Sequence, residues 1–192
     1  MKISLGAKTL AQPAPLWIVG SYDEEGKANA MAAAWCGKCC SKPPCIAVSL
    51  RAERHSYASI LARRAFTISV PSVGYAAQAD YLGIASGKDV DKFAVTGLTP
   101  VRSELVDAPY VGEFPLVLEC TLLRTVELGM HTQFVGEIVD VKAEEDVLDE
   151  KGYPDAAKVM PIIFTPVTRA YHTVGRYVGQ AFEIGQPFGD KS

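Results

Sequence analysis

The sequence predicts a mainly β fold, a closed or nearly closed β-barrel with a few helices at its rim. Three observations lead there. Apolar, β-rich segments outnumber helical ones, and they do not alternate with helices in the order of a doubly wound sheet. No internal repeat and no linker-like stretch divides the chain. Its 192 residues, 48% of them hydrophobic, suffice for one sizeable core and are short for two, so a single domain over 1–192 is expected.

The elements follow in order. PLWIVGSY (15–22) is apolar and β-rich. A DEEG turn (23–26) leads to ANAMAAAW (28–35), a second extended run, giving a hairpin. Alanine favours helix by propensity, but the turn before this run and the proline pair after it confine it to a strand. Pro43 and Pro44 open CIAVSLR (45–51), a short apolar run ending in a charge. HSYASILARR (55–64) fits a helix that buries Ile60 and Leu61 and carries arginines at its C-terminal end, where the dipole favours them. FTISV (66–70) is a strand, and 73–85 reads as a helix ended by Ser86-Gly87. Longer strands are expected at 116–124 and 134–141. In the first, Leu116, Leu118, Cys120 and Leu122 alternate with residues that are largely apolar too, which suits a strand covered on both faces. KAEEDVLDEKGYPDAAK (142–158) is solvated loop or short helix, and PIIF (161–164) is one more strand. The Gly- and aromatic-rich tail, GRYVGQAFEIGQPFG (175–189), is expected to pack over a neighbour.

A net charge of −3 leaves no electrostatic footprint for nucleic acid or an anionic membrane. No apolar run reaches the roughly 18 residues of a membrane-spanning helix. MKISLGAKTLAQPAP has one early lysine and no long apolar stretch before Pro13, a poor secretory signal. Four of the five cysteines crowd into AWCGKCCSKPPC (34–45), whereas a secreted scaffold spreads cysteines to tie distant segments together. The expectation is a cytoplasmic protein with reduced thiols.

Those cysteines admit three readings. The C-x-x-C of Cys36 and Cys39 looks like a redox site, but such a site needs its first thiol at a helix N-terminus. Pro43 and Pro44 leave no room for that helix. Zinc would take Cys36, Cys39, Cys40 and Cys45, yet structural sites usually pair two knuckles across a longer gap, and only one is present. The plain reading makes them small apolar fillers beside a binding surface.

NAMAAAWCGKCCSKPPCIAVSLR (29–51) resembles the flavin-reductase-like proteins with the FMN-binding split barrel, the flavoredoxin subgroup in particular. RHSYASI (54–60), FTISVPS (66–72), SGKDVDKF (86–93), GMHTQFVGEI (129–138) and GRYVGQAF (175–182) match in the same order, so the resemblance spans nearly the whole chain. It implies a six-stranded antiparallel barrel of Greek-key type. It also implies a homodimer with one FMN per subunit at the interface, and electron transfer through that FMN. Members either reduce free flavin with a nicotinamide donor or pass electrons between proteins. The N-x-(F/T)-T-S motif of the two-component monooxygenase reductases is missing. Trp35-Cys36-Gly37-Lys38 stands in its place, which argues against free-flavin reduction and for an electron carrier.

With that resemblance, the residues can be matched to the parts of FMN. The phosphate needs cations and free N–H groups. Arg51 ends a predicted strand, and His55 and Ser56 open a predicted helix, a combination suited to an anion. Read alone, Arg51 is a solvated charge and Ser56 an N-cap. The isoalloxazine needs a flat apolar bed. Small residues at Ala32, Ala33 and Ala34 let backbone approach, and Trp35 packs either on the ring or in the core. Cys36, Gly37 and Lys38, with Ser49 and Leu50 on the next strand, are placed along the ring's polar edge. Lys92 is assigned to the anionic edge of reduced flavin or to the phosphate, against a solvated lysine. His131 is the candidate for a catalytic role where the electron donor approaches, against a structural histidine. Phe164 is placed beside the ring, against core packing. The expected partners are a redox protein or NAD(P)H. The alternatives are a barrel that only stores FMN, or a thiol or metal protein using Cys36, Cys39, Cys40 and Cys45.

Overall fold

The computed structural model describes residues 1–189. Its strands are β1 (Ala14–Pro15), β2 (Trp17–Tyr22), β3 (Ala28–Ala33), β4 (Cys36–Ser41), β5 (Pro44–Leu50), β6 (Ala65–Val70), β7 (Pro100–Arg102), β8 (Pro109–Val111), β9 (Leu116–Leu128), β10 (His131–Ala143), β11 (Ile162–Thr165) and β12 (Ala170–Thr173). The helices are α1 (His55–Arg63), α2 (Ala76–Ile84), α3 (Lys92–Thr96) and α4 (Ala156–Val159). The main sheet has the order β3-β2-β6-β9-β10-β5-β4 and is antiparallel throughout. Smaller sheets join β1, β11 and β12, and β7 with β8.

Seven strands stand in this sheet where six were expected. The run 28–41 breaks at Ala34-Trp35 into β3, which pairs with β2, and β4, which pairs with β5 on the opposite edge. That break also dictates the sheet's curvature. Laid flat, seven strands at about 4.8 Å spacing would hold β3 and β4 roughly 29 Å apart. The three Cα steps from Ala33 to Cys36 reach at most about 11 Å. The sheet therefore curls until its edges nearly meet, and Ala34-Trp35 bridges the split. The bridge is pinned by Ser49, whose backbone N–H donates to the Trp35 carbonyl at 2.8 Å.

Burial explains the apolar strands. Val19, Ile46, Val48, Leu50, Phe66, Ile68, Cys120, Leu122 and Phe134 fill the barrel, plugged by Ile60 of α1. Ile18 and Ala30 face the other way and bury Ala79 and Leu82 of α2 and Phe93 of α3. Two-faced burial overrides the helical propensity of the alanines in β3. In β9 both faces are covered only as far as Cys120, since Thr121 at the end of the β6 pairing and Leu123 and Arg124 beyond it are exposed, and the covered part includes one charged residue. Glu119 is fully buried, with Oε2 accepting from Lys142 Nζ at 2.9 Å.

Some expectations change. Leu61 is 39% exposed, because α1 buries the stripe of Ser56, Ser59 and Ile60, and position 61 lies off it. The helix expected from 73 opens as a 3-10 turn, Val73–Tyr75, before α2. The two long strands each run thirteen residues, so β9 extends past the end of β6 and pairs there only with β10, which stays bonded to β5. The strand β4, the β7–β8 hairpin, β12 and the short α3 carry no clear signal in the sequence. No helix among the described residues is long and apolar enough to cross a membrane.

Candidate functional site

A cavity of about 420 Å³ opens beside the split. One wall is β3 and its continuation, Asn29 to Trp35. The floor is the end of β5, Ser49 to Arg51, with the first residues of α1. The opposite wall is the end of α2 and the loop 85–87. Lys92 and His131 complete it.

The α1 end of the cavity is built for an anion. Arg54 occupies the N-cap with extended backbone and no side chain caps the helix, whose first turn holds no acid. Tyr57 N–H turns back to the Arg54 carbonyl at 2.9 Å, and the N–H groups of His55 and Ser56 are left for another acceptor, at the positive end of the dipole. Arg51, Arg54, His55 and Lys92 bring cationic or protonatable groups to the cavity against one carboxylate, Glu53. Arg51 Nε lies 2.7 Å from Glu53 Oε1, although both side chains remain about half exposed. His55 Nε2 is 4.0 Å from Asp23 Oδ2. Ser56 is fully buried and its hydroxyl accepts from Asn29 Nδ2 at 2.9 Å, which locks the helix start to β3.

Lys92 is not a solvated lysine. It is 4% exposed, and its ammonium donates to the carbonyls of Ala30 (2.9 Å) and Leu82 (2.8 Å), tying β3 to α2. No carboxylate pairs with it among the described residues. Burial, and then the Arg54 guanidinium, lower its pKa to about 8. An ammonium has three N–H donors, so one remains for the cavity.

The split end is aromatic. Trp35 is 53% exposed, so it is not a core residue, and its indole stacks on the His131 imidazole. The wall at 85–87 fits closely. A Cβ on Gly87 would stand 2.3 Å from Asn29 Oδ1 and 2.8 Å from His55 Cδ2.

Eleven of the nominated residues thus share one cavity: Ala32, Ala33, Ala34, Trp35, Ser49, Leu50, Arg51, His55, Ser56, Lys92 and His131. Cys36, Gly37, Lys38 and Phe164 do not. They line a second cavity of about 550 Å³, which shares Ala34, Trp35 and Ser49 with the first. Gly37 and Lys38 lie in the β4–β5 ladder opposite Ala47 and Ile46. Phe164 packs on Tyr171 at 5.5 Å. Asn29, Arg54 and the 82–87 loop were not singled out from the sequence. The signal for Asn29 is an amide side chain in an otherwise alanine-rich strand, which has no reason to be there unless it is bonded.

The thiols are quiet. Burial pushes Cys36 and Cys120 up to about 12, so both stay protonated near neutrality. All five cysteines are free, and no group of three or more His, Cys, Asp or Glu among the described residues is arranged to hold a metal ion.

Comparison with known proteins agrees with this geometry. Flavoredoxin of Desulfovibrio vulgaris (Miyazaki F) is 57% identical, with a TM-score of 0.92 over 96% of this chain and 100% of that one. An FMN-binding protein from Thermus thermophilus is 26% identical, with a TM-score of 0.80 over 94% and 97%. An uncharacterised protein of Aeropyrum pernix is 29% identical over 130 residues, and there the match spans only 49% of the relative's length. The model of the flavin reductase like domain matches residues 10–174. With most of its length matched by that model, the chain belongs to the flavin reductase like family.

Proposed function

We propose that this protein binds one FMN in the 420 Å³ cavity and passes electrons through it, as a carrier between redox proteins or with NAD(P)H as donor. It would work as a homodimer in the cytoplasm. The observation that carries the reading is a single cavity lined by both an uncapped, cation-ringed helix start and the Trp35–His131 stack.

The residues fit FMN part by part. Arg51, Arg54 and the opening N–H groups of α1 suit the phosphate. The small side chains of Ala32 to Ala34 suit close approach of a flat ring to backbone, and Trp35 offers a stacking face. Lys92 supplies a buried positive charge without a counterion, the group needed beside a ring that becomes anionic on reduction. Bound FMN supplies reversible two-electron chemistry. The chain's own part is to bind, orient, keep water out and hold the ammonium proton at Lys92 Nζ.

The dimer reading is supported by exposed apolar residues on the β9–β10 hairpin, Leu123, Val126, Leu128 and Met130, and on the tail, Tyr177, Val178, Phe182 and Phe188. Such residues usually lose their exposure against a partner.

The test is direct. Protein mixed with FMN is expected to show one equivalent of bound flavin per chain, and anaerobic addition of reduced ferredoxin, NADH or NADPH to bleach it. Protein that takes up no FMN ends the proposal. Protein that binds FMN but is bleached by none of these donors is a storage barrel. Sedimentation of the holoprotein as a monomer removes the dimer.

A further inference from the structure

Outside the cavity, the densest group of nucleophiles is the tip of the β4–β5 hairpin. Cys40 and Cys45 are directly opposed there in the antiparallel ladder, flanked by the Ser41–Pro44 pair. A register shift between Lys38 and Cys40 inserts Cys39 as an extra residue, so three thiols meet within one turn of chain. Cys39 and Cys40 are exposed, whereas Cys45 is buried. Cys40 donates to the Lys42 carbonyl at 3.4 Å, which holds its thiol at the hairpin end. The thiol of Cys45 is raised in pKa by burial first and then by the neighbouring Cys40 and Cys39 sulfurs.

Geometry favours the register pair: Cys40 is the partner of Cys45 across the ladder, while the inserted Cys39 has no partner there. Opposed residues of an antiparallel ladder have Cα atoms about 4.5–5.5 Å apart. That falls inside the roughly 4.4–6.8 Å window of unstrained disulfides. Cys39 and Cys40 are consecutive, so their Cα atoms are about 3.8 Å apart across a trans peptide, which is outside it. Cys36 pairs with Val48 and Cys120 lies in the barrel core, so neither competes.

We propose that Cys40 and Cys45 are a thiol–disulfide exchange site, closed by a low-molecular-weight disulfide. The exposed Cys40 thiolate attacks one sulfur of the small disulfide and forms a mixed disulfide, releasing one thiolate. The Cys45 sulfur attacks the Cys40 sulfur, and the second small thiol leaves carrying the Cys45 proton. Two protein thiols are oxidised to one disulfide, and the small disulfide is reduced to two thiols. Neither cysteine lines the cavity assigned to FMN.

The experiment treats the FMN-loaded protein with oxidised glutathione, then denatures and alkylates it. Five alkylatable thiols are expected before treatment and three after, with return to five on dithiothreitol. Proteolysis should give a peptide carrying Cys39, Cys40 and Cys45 that has lost two hydrogens. Cys40→Ser, an exposed position that leaves the fold intact, should abolish the bond, and Cys39→Ser should keep it. Five alkylatable thiols after treatment overturn the proposal. So does a bond that survives Cys40→Ser, or one that Cys39→Ser removes.

Discussion

The indole of Trp35 stacks on the imidazole of His131, with centroids 5.1 Å apart and planes inclined by 23°. Trp35 bridges the two edges of the sheet, and His131 opens β10, beside β5 and two strands in from the β4 edge. Trp35 thus helps close the barrel through its backbone, bonded to Ser49, and lines the cavity with its ring beside His131. Trp35→Ala is expected to weaken FMN binding roughly two- to tenfold, the range of one aromatic pair, while Trp35→Phe keeps most of it. Flavin fluorescence titration measures this, and equal affinity in all three proteins would place the ring elsewhere.

Arg54 separates phosphate recognition from ring recognition. Arg54→Gln removes one charge beside the opening N–H groups of α1. FMN should bind at least about tenfold more weakly, since hydrogen bonds to charged groups are worth about 1.5–3 kcal/mol. Riboflavin, which lacks the phosphate, should be almost unaffected. A parallel loss for both ligands would move the phosphate away from α1.

Lys92 makes pH a probe. Its pKa is about 8 in the fold and 10.5 ordinarily. Between those values the unfolded chain holds a proton that the folded one has released, so this residue's contribution to stability rises with pH across that window. Below about pH 8 both states carry the proton and the burial cost is complete. Urea titrations at pH about 7 and about 9.5 should show that rise in the wild type and not in Lys92→Met. An anionic ligand favours the charged ammonium, so FMN affinity should fall above pH about 8 in the wild type and stay flat in the variant. Identical pH profiles would remove Lys92 from the site.

Gly87 tests the fit of the wall. Gly87→Ala drives a methyl into Asn29 and His55, and overpacking costs about 1–3 kcal/mol. It should lower the melting temperature and weaken FMN binding together, because the Asn29–Ser56 hydrogen bond must move. Gly37→Ala meets nothing within 4 Å and should leave both unchanged. Calorimetry with and without FMN reads both effects.

Cys36 tests whether sulfur takes part at the flavin. A thiol held at about 12 is a poor nucleophile near neutrality. Cys36→Ser together with Cys39→Ser should therefore leave the rate of flavin reduction within about twofold of the wild type. A collapse of that rate with FMN still bound would restore the thiol reading.

The hairpin of β2 and β3, the strands β5, β6 and β11, and the helix α1 were legible because their signals are local. Turn residues, proline pairs and apolar runs act within a few positions of themselves. The likeness of 29–51 to the flavin proteins likewise rests on residues in one stretch. Leu61 was misjudged because an apolar residue in a short helix has no mark saying which side of the buried stripe it occupies. Lys92 was legible as a candidate, but its two carbonyl partners, Ala30 and Leu82, were not, since they sit on other elements.

By itself, then, the chain's order of residues determined the β character, most element positions and eleven residues that meet in one cavity. Only the tertiary structure decided that 28–41 splits between two sheet edges and that Cys36, Gly37, Lys38 and Phe164 fall on the far side of Trp35. It alone set Cys40 opposite Cys45. The physical reason is common to all three. Propensity and periodicity act over a turn or two of chain, whereas strand register and sheet closure follow from pairing between segments far apart in sequence, and those pairings become specific only once both faces are packed.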